Sequence, residues 1–342
     1  MSLKLTRIEI ERFRRLRAPL TLDLTDPRGA PLRTVVLGGS NGSGKTSVLE
    51  AIALGLGADA LITRDLPAKQ RKKHWRTQLE PGAHITLTFN DEAGQTRTFR
   101  REGAFVGEVT DGSKLHTFGL GPPAALADLD VEYFSSWRAP ALAGPVQPST
   151  GGRAQNETES SRLRVLKQRI VNERARRAFA RKGDPAALDE RWLARLNTAW
   201  AEFHFGDGGR IDADVVDAAA RQLTFDLFVF DGETRRCAID QISAGELELV
   251  ALAGTLITRD FAGLLLIDEP ELHLHPEWQT RILPALHALA PEAQIIAATH
   301  ADGVWDQAYS FERFLLADAS DPRSAAWQAA HAPRGDEAEH AG

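Results

Sequence analysis

The sequence predicts an α/β fold built on a parallel sheet, with an antiparallel β region and a short helical subdomain added to it. Three observations carry the prediction. Continuous apolar strands at residues 33–38, 264–267 and 294–298 alternate with helical segments, the pattern of a sheet covered on both faces. A glycine-rich loop joins the first of these strands to a helix. Between them, short segments of period-two pattern are separated by Gly, Asp and Asn, as in an antiparallel meander.

In chain order, Leu3, Leu5, Ile8 and Ile10 alternate as in a strand, and Leu20, Leu22 and Leu24 repeat the pattern. The strand at 33–38 leads to a helix over 46–57, with Val48, Leu49, Ile52 and Ala53 on one face. Residues 84–90, 96–101, 104–109 and 114–118 are the meander strands. Residues 139–161, rich in Pro, Gly, Ser and Gln, read as a linker. A helical hairpin follows. Ser160 or Ser161 caps a helix ending at Lys182 before Gly183, and Asp184-Pro185 opens a second helix with Leu188, Trp192, Leu196 and Trp200 at i, i+4 spacing. Twenty or so residues at ~1.5 Å each span only ~30 Å, so this is a small subdomain and not a coiled-coil arm. Residues 223–230 return to strand, 245–258 to helix and 277–289 to helix, and the polar tail from 319 is expected to fray.

The 342 residues are 43% hydrophobic and 26% charged, which excludes fibrous, collagen-like and wholly disordered proteins. One cysteine, Cys237, excludes a disulfide framework and fits a reducing compartment. The charged start lacks a secretory core, and no uncharged apolar run approaches the ~18–20 residues of a membrane helix. A cytoplasmic protein with no membrane partner is expected.

Net charge is −6, yet it is strongly divided. Residues 64–76 hold six Lys/Arg and one acid, and residues 153–182 hold ten and three, so the rest of the chain carries −18. The first segment includes Lys69, Arg71, Lys72, Lys73, Trp75 and Arg76, which suit a phosphate backbone with a stacked base or, equally, a solvated surface. In the 162–182 helix Arg162, Arg164, Lys167, Arg169, Arg174, Arg176, Arg177, Arg181 and Lys182 are spread around the axis. Such a charge asks for an anionic partner: nucleic acid, the acidic remainder of the same chain, or an acidic subunit.

Gly39-Ser40-Asn41-Gly42-Ser43-Gly44-Lys45-Thr46, followed by Ser47, matches G-x-x-x-x-G-K-[ST] between a strand and a helix, the context that makes the pattern credible. Glycines let backbone N–H groups curl around phosphate oxygens, and the helix start adds positive potential. Lys45 is expected to reach the β- and γ-phosphates of ATP and Thr46 to ligate Mg²⁺. The strand at 264–267 ends in Asp268 and Glu269. Paired with that loop, Asp268 is the expected metal carboxylate, and Glu269 the residue that orients or deprotonates water.

Gln241-Ile242-Ser243-Ala244-Gly245-Glu246 precedes a helix about twenty residues before the acidic strand end. Here the chain resembles the ABC-type ATPases, whose signature peptide has a Ser-x-Gly-Glu form; Ala244 departs from the more common glycine. The resemblance implies that Ser243, Gly245 and Glu246 meet the γ-phosphate held by another copy. It also implies that His300, in Ala298-Thr299-His300, is the switch histidine. Asp268-Glu-Pro-Glu-Leu-His-Leu-His-Pro276 is similar to the RecF/SMC-like and OLD-like branch, as is Ile8-Glu-Ile-Glu-Arg-Phe13-Arg14. His273 and His275 also fit an H-x-H metal pair, but no third ligand stands near beyond acids already assigned. A loop facing the dimer is the better reading. Gln147 and Gln155 stand near the place of the family's glutamine loop, without a distinctive local pattern.

The resemblance implies a P-loop NTPase of the ABC-type ATPase-head fold, divided as residues 1–138 (loop and meander), 139–205 (linker and hairpin), 206–318 (signature, acidic strand, switch histidine) and 319–342 (tail). Lys45, Glu269 and His300 are the catalytic candidates. The expected function is Mg²⁺-dependent ATP hydrolysis by a head-to-tail homodimer in DNA repair or anti-phage defence. Because the chain ends soon after His300, a separate effector protein is expected. An ATP-gated scaffold and a transporter ATPase subunit are the alternatives; the Leu-His-Pro loop stands against the transporter and Glu269 against the scaffold.

Overall fold

A computed structural model of the protein describes residues 3–14, 16, 18–66, 78–110, 114–119, 126, 129–138, 142–148, 162–179, 191–204, 209–217 and 224–316. In chain order its elements are β1 (Lys4–Glu11), β2 (Leu20–Asp23), β3 (Thr34–Gly38), α1 (Lys45–Gly55), α2 (Asp59–Arg64), β4 (His84–Asn90), β5 (Thr96–Glu102), β6 (Phe105–Thr110), β7 (Lys114–Gly119), β8 (Val131–Phe134), α3 (Arg162–Phe179) and α4 (Arg191–Phe203). There follow β9 (Arg210–Val215), β10 (Phe225–Asp231), β11 (Thr234–Ala238), α5 (Ala244–Thr258), β12 (Leu264–Asp268), α6 (Pro276–Gln279), α7 (Ile282–Leu289), β13 (Gln294–Ala298), α8 (Asp302–Trp305) and β14 (Arg313–Leu315). The chain forms two compact units, one of Met1–Trp137, Ala262–Glu271 and Ala293–Gly342, the other of Arg138–Phe261 and Leu272–Glu292.

The first unit has two sheets. Five strands pair in parallel in the order β14-β3-β13-β12-β8, and six pair antiparallel in the order β2-β1-β4-β5-β6-β7. Every residue of β3, β12 and β13 is buried, as unbroken apolar strands require. Helix α1 packs against β4 and β5 of one sheet and β12 and β13 of the other, and all its residues but Thr46 are buried. Its contact with the antiparallel sheet is close: a Cβ on Gly55 would meet Leu87 Cδ1 at 2.7 Å. Gln294, 1% exposed, joins the layers: its amide donates to the carbonyls of Leu5 (2.8 Å) and Leu32 (2.7 Å), and its Oε1 accepts from Leu5 N–H (2.7 Å).

In the second unit α3 and α4 pack on the antiparallel sheet β11-β10-β9, α5 packs on both helices, and α7 packs on α4 and α5. Leu163, Leu166 and Ile170 of α3 and Leu196, Trp200 and Phe203 of α4 are buried. The hydrophobic stripe of the second hairpin helix is thus observed at Leu196 and Trp200, while Leu188 and the Trp192 side chain lie outside what is described. Outside it too are Ser160, Ser161, Arg181 to Pro185, Gln155, residues 67–77 of the first basic segment and everything after 316.

Part of the basic character of α3 is met within its own unit. Lys167, with its side chain fully buried, donates to Asp240 (2.8 Å) and pairs with Asp226. Arg169 donates to the Thr258 carbonyl, and Arg174 holds Asp212 with two hydrogen bonds, one of 2.7 Å. Of the destinations foreseen for this charge, Lys167 and Arg174 take the acidic remainder of the same chain, and Arg169 takes a main-chain carbonyl.

One expected element is corrected. The helix foreseen over 277–289 is two, α6 and α7, parted at Thr280 and Arg281. Pro284 is the reason: its ring would strike the carbonyl four residues back, so it is tolerated only in a first turn, and a new helix starts at Ile282. Strands β8, β9, β11 and β14 and helix α2 had no sequence expectation, and β1 and β2 extend the meander into one six-stranded sheet.

Candidate functional site

The loop between β3 and α1 brings main-chain atoms into a tight curl. Gly39, Gly42 and Gly44 have φ of 141°, 86° and 104°. A Cβ at Gly39 would lie 2.4 Å from the Leu316 carbonyl oxygen, and one at Gly44 would lie 2.7 Å from Leu16 Cδ2, so side chains are excluded by space as well as by φ. Ser40 is buried and its carbonyl accepts from Ser43 N–H at 3.1 Å, while Asn41 and Gly42 stand exposed at the tip. Lys45 is 7% exposed, and its ammonium donates to the carbonyls of Gly39 (2.7 Å) and Ser40 (3.0 Å). Burial lowers its pKa, opposed by the negative charges of Asp268, Glu269 and Glu271. The buried Ser43 hydroxyl has no hydrogen-bond partner among the described residues.

The parallel register delivers the acids to the same place. Asp268 ends β12 and is 1% exposed, and its Oδ2 accepts from the Thr46 hydroxyl at 2.8 Å. A hard divalent cation takes oxygen ligands, and these two offer an adjacent pair. The fit of Mg²⁺-nucleotide to this corner rests on that pair, on the orphaned Ser43 hydroxyl and on the inward-turned Lys45.

Glu269 has φ of +51°, a left-handed conformation rare for a side-chain-bearing residue, and its N–H donates to the Ala298 carbonyl at 2.7 Å. This turn sets its carboxylate 3.6 Å from His300 Nδ1. Glu271, which sequence reasoning missed, organises the pair. Its Oε1 accepts from the Thr299 hydroxyl (2.7 Å) and the His300 N–H (3.2 Å) and lies 3.5 Å from His300 Nδ1. Glu271 is 6% exposed. Its signal in the sequence is a third carboxylate close behind Asp268 and Glu269, at the end of a buried strand.

Ser243, Gly245 and Glu246 lie in the second unit at the start of α5. Ser243 is the N-cap: its hydroxyl accepts from Glu246 N–H (3.3 Å), and Glu246 Oε2 accepts from Ser243 N–H (2.7 Å), a reciprocal capping box. Ser243 and Ala244 are exposed and Gly245 is buried. A Cβ at Gly245 would lie 2.5 Å from the His273 carbonyl oxygen, so glycine serves packing there. His275 caps α6 through Nδ1, which accepts from Glu277 N–H at 3.4 Å, and among the described residues no group of three His, Cys, Asp or Glu is placed to hold a metal. The Gln147 carbonyl accepts from Gln168 at 2.6 Å. No helix among the described residues is long and apolar enough to cross a membrane.

Comparison with known proteins agrees with this geometry. A family model described as "AAA domain, putative AbiEii toxin, Type IV TA system" matches residues 35–306. The Septu protein PtuA of Bacillus thuringiensis is 49% identical over 47 residues, 14% of this chain and 12% of that protein. The retron Ec83 probable ATPase of Escherichia coli is 35% identical over 96 residues, 25% of this chain and 18% of that one. PtuA of Bacillus mycoides is 24% identical over 305 residues, 86% of this chain but only 38% of the relative. These matches span well under two thirds of the relatives' own length. Among solved structures, an SMC head bound to the C-winged helix domain of ScpA aligns with TM-score 0.53 at 15% identity, covering 89% of this chain and 92% of that one. An SMC head with an extended coiled coil, bound to the C-terminal domain of ScpA derived from Pyrococcus furiosus, aligns with TM-score 0.50 at 14% identity, covering 90% and 92%. Those two alignments establish an SMC-head fold, and the phosphate loop and acidic strand end fall inside the family match, so the chain belongs to this AAA-domain family.

Proposed function

We propose that the chain is a Mg²⁺-dependent ATP hydrolase whose two copies close head-to-tail on nucleotide. The observation that carries the reading is the Thr46–Asp268 hydrogen bond, which sets two metal-type oxygens beside the phosphate loop. When bound, Mg²⁺ would supply charge neutralisation and polarisation of phosphate oxygens. The loop N–H groups from Gly39 to Ser47 hold the phosphates, and Lys45 exchanges its two carbonyl partners for the β- and γ-oxygens. Thr46 and Asp268 hold the metal. Glu269 orients the attacking water and takes its proton, and His300, aimed by Glu271, contacts the γ-phosphate. The start of α5 in the second copy, with the exposed Ser243 hydroxyl and helix-end N–H groups, is a ready anion site for the same phosphate.

The likeness to Septu and retron proteins supports defence against phage over DNA repair, with a separate effector as the output. The test is complementation. Lys45→Ala and Ser243→Arg should each abolish phosphate release. Mixing them should restore it, because one intact composite site forms between unlike copies. Failure of the mixture, with both variants folded, contradicts the composite site.

A further inference from the structure

The start of α5 is held by a histidine that the ATPase motifs do not contain. His204 lies just past the end of α4. Its Nδ1 is 2.9 Å from the Trp200 carbonyl oxygen, and its Nε2 is 2.9 Å from Glu246 Oε1. Both partners are acceptors. A neutral imidazole carries one proton and can satisfy only one of them, whereas the imidazolium satisfies both. The ring is fixed between two indoles, Trp200 with centroids 4.1 Å apart and Trp278 at 5.1 Å. The other Glu246 oxygen closes the capping box on Ser243 at 2.7 Å.

We propose that His204 is a positioning residue for the α5 anion site: its imidazolium clamps and neutralises Glu246, so that Ser243 and Gly245 can receive the phosphates held by a second copy. This rests on the composite-site reading above. Without the clamp, an uncompensated carboxylate would stand within one helical turn of the place where a polyanion docks, and like charge opposes docking. Glu246 would also be free to rotate away from the Ser243 N–H and loosen the turn that presents the hydroxyl.

Among the described residues, the groups facing His204 are few. Glu246 comes from α5, and Arg236 of β11 opposes protonation. Trp278 of α6 brings no charge, and on the histidine's own helix Glu202 is engaged by Arg281. Burial by itself lowers His204, but the hydrogen bonds to Glu246 and to the Trp200 carbonyl outweigh it, and the net direction is upward. Glu246 is held at about 2, first by the hydrogen bond from His204. The clamp is therefore present below the ordinary histidine value of 6.5 and fails as pH rises through the raised His204 value.

The experiment follows ATP-induced dimerisation of the full chain carrying Glu269→Gln, by sedimentation velocity with Mg²⁺ from pH 6 to 9.5. Dimerisation should weaken as the pH rises. Adding His204→Gln should weaken it roughly tenfold at pH 6, the usual effect of losing one hydrogen bond to a charged group, and flatten the pH profile. Fluorescent-nucleotide binding by the isolated copy should not change. Should glutamine fail to fold between the indoles, ¹⁵N NMR of the unaltered chain decides: His204 should be doubly protonated at pH 6, and Glu246→Gln should lower its pKa. A neutral His204 at pH 6, or an unchanged profile in His204→Gln, overturns the proposal. Ser243→Arg separates the two readings. A dimer that survives it overturns the composite site and this inference together. A dimer lost in Ser243→Arg but unaltered in His204→Gln overturns this inference alone.

Discussion

The Thr46 hydroxyl donates to the Asp268 carboxylate at 2.8 Å across 222 residues of sequence. The bond exists because β3 and β12 run in the same direction on either side of β13, so that the loop after one and the acid ending the other emerge at the same sheet edge. Asp268→Asn keeps the shape and removes the charge. We expect phosphate release to fall at least ~100-fold at every Mg²⁺ concentration. Thermal stability should hold or rise, since a buried carboxylate is relieved. Release kept near the parent rate would remove Asp268 from the metal site.

Gly245→Ala separates packing from propensity. Alanine is favoured over glycine within a helix by ~1 kcal/mol. The added Cβ, however, falls 2.5 Å from the His273 carbonyl, a backbone atom that cannot step aside cheaply. A net loss of about 1–3 kcal/mol is expected in urea unfolding. A gain would mean that the 272–275 segment yields.

Lys167 is the fixed point of the second unit's charge map. Lys167→Met leaves Asp226 and Asp240 facing each other without their cation and should cost about 3–5 kcal/mol in urea denaturation. Combining it with Asp226→Asn and Asp240→Asn should recover much of that loss. A silent single variant would show that the two acids find other partners.

The His204–Glu246 pair also predicts a stability profile. Glu246 is depressed in the folded chain, so its contribution is present above its unfolded value near 4.5 and is lost as pH falls towards about 2. His204 is raised, so its contribution is present below 6.5 and is lost as pH rises through its folded value. The stability difference between the parent and Glu246→Gln should therefore be largest between about pH 4.5 and 6.5, on the order of 1–3 kcal/mol. Denaturation midpoints from about pH 2 to 9 measure it, and a difference that stays flat over that whole span would contradict the clamp.

Much of the site was legible because its chemistry is local. Gly39 to Thr46 and Asp268-Glu269 stand on apolar strands whose burial is written in their composition, and parallel pairing of such strands brings them together. What escaped was non-local. Glu271 acts on Thr299 and His300 28 and 29 residues away, and His204 acts on Glu246 across 42, with no spacing to announce either. The break between α6 and α7 was within reach, since Pro284 forbids a continuous helix. The basic pattern of α3 left its partner open: charge on a helix shows that an anion is needed but not which one, and the partners of Lys167 and Arg174 are Asp residues of the same chain, one of the destinations foreseen.

The central claim is that nucleotide closes two copies on each other, with Glu269 releasing them by hydrolysis. Light scattering of Glu269→Gln with ATP and Mg²⁺ tests it most directly. The account predicts a stable dimer of twice the 37.4 kDa chain mass, absent without ATP and absent when Ser243→Arg is added. A chain that binds ATP and stays at the monomer mass contradicts it.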